Sequence, residues 1–183
     1  MTGQSTSIRL VRTADAEALV AHLIRDREDS ALWEPSRADN YYTPAGHRER
    51  IQGFLKEHSE GRMWPGVVLA GDELAGWITV SGIQRGPFLV GTVGYWIGSA
   101  HQRQGHARRA LGQLLVLMGD ELGLHRAEAS TSHDNVASHR VLESQGFRCY
   151  GTTTSSFLIG GVWRDSLVWE RVLQTERAEP GLR

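Results

Sequence analysis

The chain predicts a mixed α/β fold, and three observations carry that prediction. First, Val93, Tyr95 and Ile97 alternate with Gly94, Trp96 and Gly98, the period of a strand. A short glycine-containing loop follows. Ala107, Ala110, Leu111, Leu114, Leu115, Met118 and Leu122 then recur at three- and four-residue steps, the stripe of an amphipathic helix. Second, a strand over residues 125–131 runs into a helix that Asp134 or Asn135 can cap and Gly146 can stop. Third, two pairs of strand-like runs close on Gly71-Asp72 and on Gly160-Gly161, which are hairpin signals.

Residues 1–7 are polar and expected to be a loose tail. Ile8, Leu10 and Arg12 open the first strand. Thr13 or Asp15 caps a helix that carries Ala18, Leu19, His22 and Leu23. The segment 27–46, with Trp33, Pro35, Tyr41, Tyr42 and Pro44, has no period and reads as irregular. Residues 45–61 form a second helix with Ile51, Phe54 and Leu55 inward. Strands follow at 67–69 and 74–80, and a loop at 82–87. Beyond the two strand–helix units, residues 147–158 and 162–172 form a last hairpin, with Cys149 a small core residue on its first strand. Residues 174–183 form a polar tail. This amounts to one domain over residues 8–173.

Composition narrows the classes of function. The 183 residues are 40% hydrophobic and 22% charged, which suits a soluble domain with a sizeable core. A net charge of −1 offers no footprint for nucleic acid, although local basic clusters remain available to an anion. One cysteine builds neither a disulfide framework nor a cysteine-rich metal site, and no metal is expected. No run is long and apolar enough to span a membrane and no secretion signal is evident, so the cytoplasm is the expected compartment.

The loop Gln102, Arg103, Gln104, Gly105, His106, Ala107 sits between a strand and a helix start. Unpaired N–H groups and the helix dipole make such a place an anion site. It is not a Walker loop, since no Gly-Lys-Ser/Thr follows. It is not a dinucleotide fingerprint, since only Gly105 fills a glycine position. Gln102-x-x-Gly105-x-Ala107 resembles the pyrophosphate loop for acetyl-coenzyme A in the GNAT superfamily of N-acetyltransferases. Downstream, His125-Arg126-x-Glu128-Ala129, the run from Asp134-Asn135 through Ala137-Ser138 to Gly146-Phe147, and Gly161-x-Trp163-Arg164-Asp165 are similar to the RimJ/RimL branch, the ribosomal-protein N-terminal acetyltransferases. The resemblance runs from Ile8 to Leu173. One departure is Leu142, where many relatives in the wider superfamily place a tyrosine as a proposed acid; Ser138 instead agrees with the RimJ/RimL pattern.

The resemblance implies a central, mostly antiparallel mixed sheet of about seven strands and about four helices, splayed between strands four and five to hold acetyl-CoA. Backbone donors at Trp96, Ile97 and Gly98 would face the pantetheine and the thioester. Loop residues 102–107 with Arg108 would take the pyrophosphate, and Arg140 is counted with the cofactor contacts. Asn135 would hold the pantetheine or a water. Ser138, on the same helix face, would stabilise the leaving sulfur. Glu128 is the first choice of base, with His101 and Tyr95 after it. Trp33, Tyr41, Tyr42 and Tyr95 are assigned to the acceptor. His101 and His106 otherwise read as solvated loop histidines, and Arg108 and Arg109 as a solvated helix face. Direct attack of a primary amine is expected, since Cys149 lies outside both motif blocks and does not suit an acyl-enzyme. The acceptor is expected to be a protein or peptide N-terminus; a small amine or an antibiotic is the alternative. A non-catalytic acyl-CoA sensor and a nucleotide-binding module are rival classes, and a homodimer is allowed for.

Overall fold

The computed structural model describes residues 4–30 and 37–173. Seven strands form one sheet in the order β1-β2-β3-β4-β5-β7-β6. They are β1 (Thr6–Leu10), β2 (Trp64–Ala70), β3 (Glu73–Gln84), β4 (Val90–Ile97), β5 (Arg126–Ser132), β6 (Arg148–Ile159) and β7 (Val162–Val172). All neighbours are antiparallel except β4 and β5, which run parallel. The helices are α1 (Ala16–Arg25), the single turn α2 (Arg27–Ser30), α3 (Pro44–Ser59), α4 (His106–Asp120) and α5 (Val136–Ser144). No helix among the described residues is long and apolar enough to cross a membrane.

Alternation along the strands sorts two cores. Ile78, Val80, Val93, Ala127 and Ala129 face α4 and α5, where Leu111, Leu114, Met118 and Leu142 complete the larger core. Val67, Leu74, Trp77 and Trp96 face the opposite way, with Leu19 of α1 and Ile51 of α3. The sheet therefore separates an α4/α5 side from an α1/α3 side.

Several element ends differ from expectation for local reasons. β1 begins at Thr6, two residues earlier than the tail boundary, because Thr6 pairs with Ala70. Its hydroxyl also reaches α4, 2.7 Å from His106 Nδ1. Asp15 precedes α1 but does not cap it with its side chain. Its carboxylate accepts both Arg9 Nη atoms at 2.7 and 2.8 Å and the Arg12 N–H at 2.7 Å. α3 starts with Pro44 at its first position, and Thr43 Oγ1 accepts the Gly46 N–H at 3.1 Å. In the irregular segment Tyr41 and Tyr42 lie on the 3-10 turn Asp39–Tyr42. Trp33 and the tail 174–183 lie outside the described residues.

The expected β4–β5 splay is present. These strands pair only at Val90–Arg126, Gly91–Ala127 and Thr92–Glu128. Beyond that point β4 continues against β3 alone and β5 against β7 alone. A gap opens between them past Thr92–Glu128.

Candidate active site

The loop after β4 is held by its own side chains. Gln102 Nε2 donates to Ile97 O at 3.0 Å and Gln104 Nε2 to Ala100 O at 3.2 Å. Arg109 Nη2 reaches back to Gln104 O at 2.9 Å, and Arg109 Nε donates to Thr6 Oγ1 at 2.7 Å. The glutamines and Arg109 thus brace the loop, while Arg103 and Arg108 are exposed beside it. Gly105 is the N-cap of α4 at φ +79°, and no side chain caps the helix. Its first backbone bond runs from Arg109 N–H to Gly105 O at 3.1 Å. The N–H groups of His106, Ala107 and Arg108 therefore stand at the positive end of a 15-residue helix without intrahelical acceptors. A Cβ at Gly105 would come within 2.8 Å of Arg109 Nη1. Such an open N-terminus on a glycine that admits close approach suits a pyrophosphate.

His101 and His106 do not behave as solvated loop residues: both are buried. The 3-10 turn Ser99–His101 and the first turn of α4 fold down onto α1 and β1. A row results, with ring centroids 5.7 Å apart for His22–His101 and 6.2 Å for His101–His106. The His106 side chain therefore points beneath the loop, and only its backbone N–H remains on the anion side. Gly98 lies against this row; a Cβ there would sit 2.3 Å from His22 Nδ1. Burial, then the charge of Arg109 and the neighbouring His101, hold His106 below the ordinary histidine range.

The strand-end donors divide by the ladder. Gly98 N–H is committed to Ala75 O at 2.9 Å. Antiparallel alternation turns the Trp96 backbone towards β3 as well, so Ile97 and Tyr95 are the residues whose N–H groups face the gap.

On the far side of the gap α5 is capped by Asn135, whose Oδ1 accepts the Ser138 N–H at 3.1 Å. Its amide nitrogen remains available to a ligand. Ser138 Oγ lies 2.9 Å from Tyr95 Oη. Burial, partly offset by that hydrogen bond, pushes the Tyr95 phenol up to about 12. Tyr95 is thus neutral at working pH and belongs to the α4/α5 side with Ser138; it does not meet Tyr41 and Tyr42. Arg140 is exposed on α5.

Glu128 is at the last β4–β5 pair, opposite Thr92, where the two strands part. It faces the α1/α3 side, because Ala127 and Ala129 on either side of it are buried on the other. Its carboxylate lies 2.8 Å from Arg126 Nη2. Arg126 also approaches Glu170 at 3.5 Å, and Glu170 pairs with Arg148. Cys149 is exposed, not a core residue, because β6 is the edge strand and most of it is open.

Tyr41 and Tyr42 stack edge to face at 5.1 Å. Tyr41 lines an inner pocket of about 170 Å³ with Leu23, Arg50, Trp77 and Trp96, and an outer depression of about 540 Å³ with Arg37, Asn40 and Glu49. Arg37 and Arg50 lie over the Tyr41 ring at 5.0 and 4.8 Å. Sequence reasoning missed both arginines. The four-residue step from Arg50 to Phe54 on α3 was the one available signal, and Arg50 does lie 5.3 Å over that ring.

Residues 6–148 match the family model of the acetyltransferase (GNAT) domain. The chain belongs to the GNAT acetyltransferase family. It is 31% identical over 168 residues to the probable N-acetyltransferase YjcK of Bacillus subtilis, covering 91% of this chain and 93% of that protein. The fold is similar to that of the ribosomal-protein-S5-alanine acetyltransferase of Vibrio fischeri, with a TM-score of 0.89, 28% identity, and coverage of 97% and 98% of the two chains. It is also similar to Mycobacterium smegmatis RimJ in complex with CoA-disulfide, with a TM-score of 0.88, 28% identity, and coverage of 91% and 81%. Within the GNAT family the chain is thus closely related to the RimJ/RimL ribosomal-protein acetyltransferases. It is an acetyl-CoA-dependent acetyltransferase acting on an amine. The uncapped α4 N-terminus and the β4–β5 gap fit that cofactor.

Proposed function

We propose that this GNAT enzyme acetylates a protein or peptide N-terminal α-amine by direct attack in a ternary complex. The observation that carries the reading is the β4–β5 gap, reached by Ser138 and Tyr95 from the α4/α5 side and bordered by Trp96 of the Tyr41 pocket on the other. The likeness to ribosomal-protein acetyltransferases supports a polypeptide acceptor.

Acetyl-CoA supplies a carbonyl activated by its bond to a thiolate leaving group. The backbone N–H groups of residues 106–108 hold the pyrophosphate, with Arg103 and Arg108 adding charge. The Ile97 N–H, facing the gap, holds and polarises the acyl end. Asn135 offers its amide N–H while its oxygen caps α5. Glu128 receives the proton lost by the attacking amine, directly or through a water. A protein α-amine has a pKa near 8, so a modest base suffices. Tyr95 Oη donates a hydrogen bond to Ser138 Oγ, leaving the serine O–H free to donate a hydrogen bond to the departing sulfur. The new C–N bond forms as the C–S bond breaks. Tyr41 and Tyr42 border the acceptor, and the enzyme acts in the cytoplasm.

The test is acetyl-CoA turnover on a panel of free-N-terminal peptides, the same peptides with blocked N-termini, and small amines. The acetyl group is then located by mass spectrometry. Modification at the α-amine of free peptides alone is expected. Acetylation confined to small amines, or to lysine side chains, overturns the polypeptide reading. CoA binding without turnover of any amine would favour the acyl-CoA sensor.

A further inference from the structure

The chain as a whole has almost no net charge, −1 over 183 residues, so nothing global draws an acidic or basic acceptor. The pocket beside Trp96 is locally different. Arg37 and Arg50 both line its inner part and its outer depression. Both guanidinium carbons lie within 5.0 Å of the Tyr41 ring centroid. Among the described residues neither is in an ion pair, whereas Arg9, Arg48, Arg62, Arg126 and Arg148 each have a carboxylate partner. The one carboxylate among the described lining residues is Glu49, which borders the outer depression and not the inner pocket.

Two guanidinium groups gathered on one aromatic ring repel each other, and the ring repays that cost only in part. An anion between them relieves the repulsion and takes up their N–H donors in the forked geometry suited to a carboxylate. The inner wall is apolar and aromatic, with Leu19, Leu23, Phe54, Trp77 and Trp96, so an anion there is partly shielded from water. Trp96 belongs to the part of β4 beyond its parting from β5. The pocket therefore ends at the strand bordering the gap where the amine must react. His47, in the same lining, is held below the ordinary histidine range, chiefly by burial, so it adds no positive charge of its own beside the two arginines at neutral pH.

We infer that the acceptor carries a carboxylate close behind its reacting amine, and that Arg37 and Arg50 read that carboxylate as specificity-determining residues. For the polypeptide acceptor proposed above, on which this rests, the carboxylate is an acidic side chain at the second or third position. No residue of the loop 102–107 takes part, so selection of the acceptor is separable from cofactor binding.

The test uses three peptides that differ only in Asp, Asn or Lys at position two, a matching set at position three, and small primary amines with and without a carboxylate. The Asp peptide of one set is expected to have a KM about tenfold or more below its Asn counterpart, with the Lys peptide poorest. The advantage should shrink as salt is raised. The double variant Arg37→Gln/Arg50→Gln is expected to erase the Asp-over-Asn ratio while CoA affinity by calorimetry stays at the wild-type value. Arg50→Lys, which keeps the charge and loses the fork, should retain part of the ratio. Equal KM values for Asp and Asn in both sets, or a ratio unchanged in the double variant, overturn the inference while leaving peptide acetylation standing. If only small amines are turned over, the polypeptide reading fails. The small-amine pairs then decide the charge preference: a carboxylate advantage lost in the double variant supports it, and no advantage refutes it.

Discussion

Tyr95 Oη and Ser138 Oγ lie 2.9 Å apart, and this contact ties the free part of β4 to the helix that follows β5. The two strands on which these elements depend have already parted by that point. The hydroxyl pair therefore spans the two arms of the splay, where the proposed mechanism calls for a donor to the leaving thiolate. Ser138→Ala is expected to lower kcat about ten- to a hundredfold, with a smaller change in KM for acetyl-CoA, since one hydrogen bond to developing charge is worth roughly 1.5–3 kcal/mol. Tyr95→Phe should cost less, about three- to tenfold, as the loss of a neutral hydrogen bond. The limb of the pH–rate profile up to pH 10 should keep its position in Tyr95→Phe, because a phenol at about 12 does not titrate there. Wild-type kcat in Ser138→Ala would reduce the serine to packing.

Gly105 decides whether the α4 N-terminus can be approached. Its φ of +79° costs a residue with a Cβ about 1–2 kcal/mol, and the Cβ would press on Arg109. Gly105→Ala is expected to weaken CoA binding measurably by calorimetry. Gly105→Glu, which adds a negative charge at the anion site, should weaken it far more, with far-UV circular dichroism unchanged. An affinity unaltered in both variants would remove the pyrophosphate from this loop.

Glu128 stands at the vertex of the gap, paired with Arg126. A base that prepares the amine is least needed once the amine is deprotonated by the medium. The kcat/KM deficit of Glu128→Gln should be greatest near pH 7 and shrink above pH 9. A deficit that is flat with pH, together with a lower melting temperature, would assign the carboxylate to the ion-pair network of Arg126, Glu170 and Arg148.

His106 gives the fold an acid-sensitive point beneath the cofactor loop. Its folded pKa is depressed, mainly by burial, so the unfolded chain binds its proton more readily. The associated stability is complete above the ordinary value of 6.5 and is lost as pH falls below it towards the folded value. His47 is shifted in the same direction and adds to the same window. Melting temperature should fall between pH 7 and pH 5, and His106→Gln should reduce that slope. A slope identical in the variant would show that another group controls it.

Tyr41 and Tyr42 are expected to act on the amine and not on the cofactor. Tyr41→Ala/Tyr42→Ala should raise KM for the amine several-fold while Kd for CoA remains close to wild type. Unchanged amine kinetics with loss of a dimer in sedimentation would place them at a subunit interface instead.

Local pattern alone determined the strand–loop–helix unit ending in α4, the β5–α5 unit and the two hairpins, because period, caps and turn residues act over a few positions. The same short range made residues 102–107 legible as an anion-suited helix start and Asn135 as a cap; their further roles, and that of Ser138, rest on the resemblance to the RimJ/RimL branch. Tertiary structure decided what those residues do with their side chains. Gln102 and Gln104 fold back at the surface to brace their own loop. His101 and His106 are buried because α1 and β1, about eighty to a hundred residues earlier in the chain, pack beneath them. The direction of Glu128 follows from the β5 pleat once Ala127 and Ala129 are buried against α4 and α5. Tyr95 falls to Ser138 and not to the pocket of Tyr41 and Trp96, because one step along β4 exchanges one face of the sheet for the other. The convergence of Arg37 and Arg50 on Tyr41 has no sequence signature, since it depends on how α3 and the segment before it fold over the sheet. Contacts of that kind are set by packing between distant elements, which spacing along the chain does not encode.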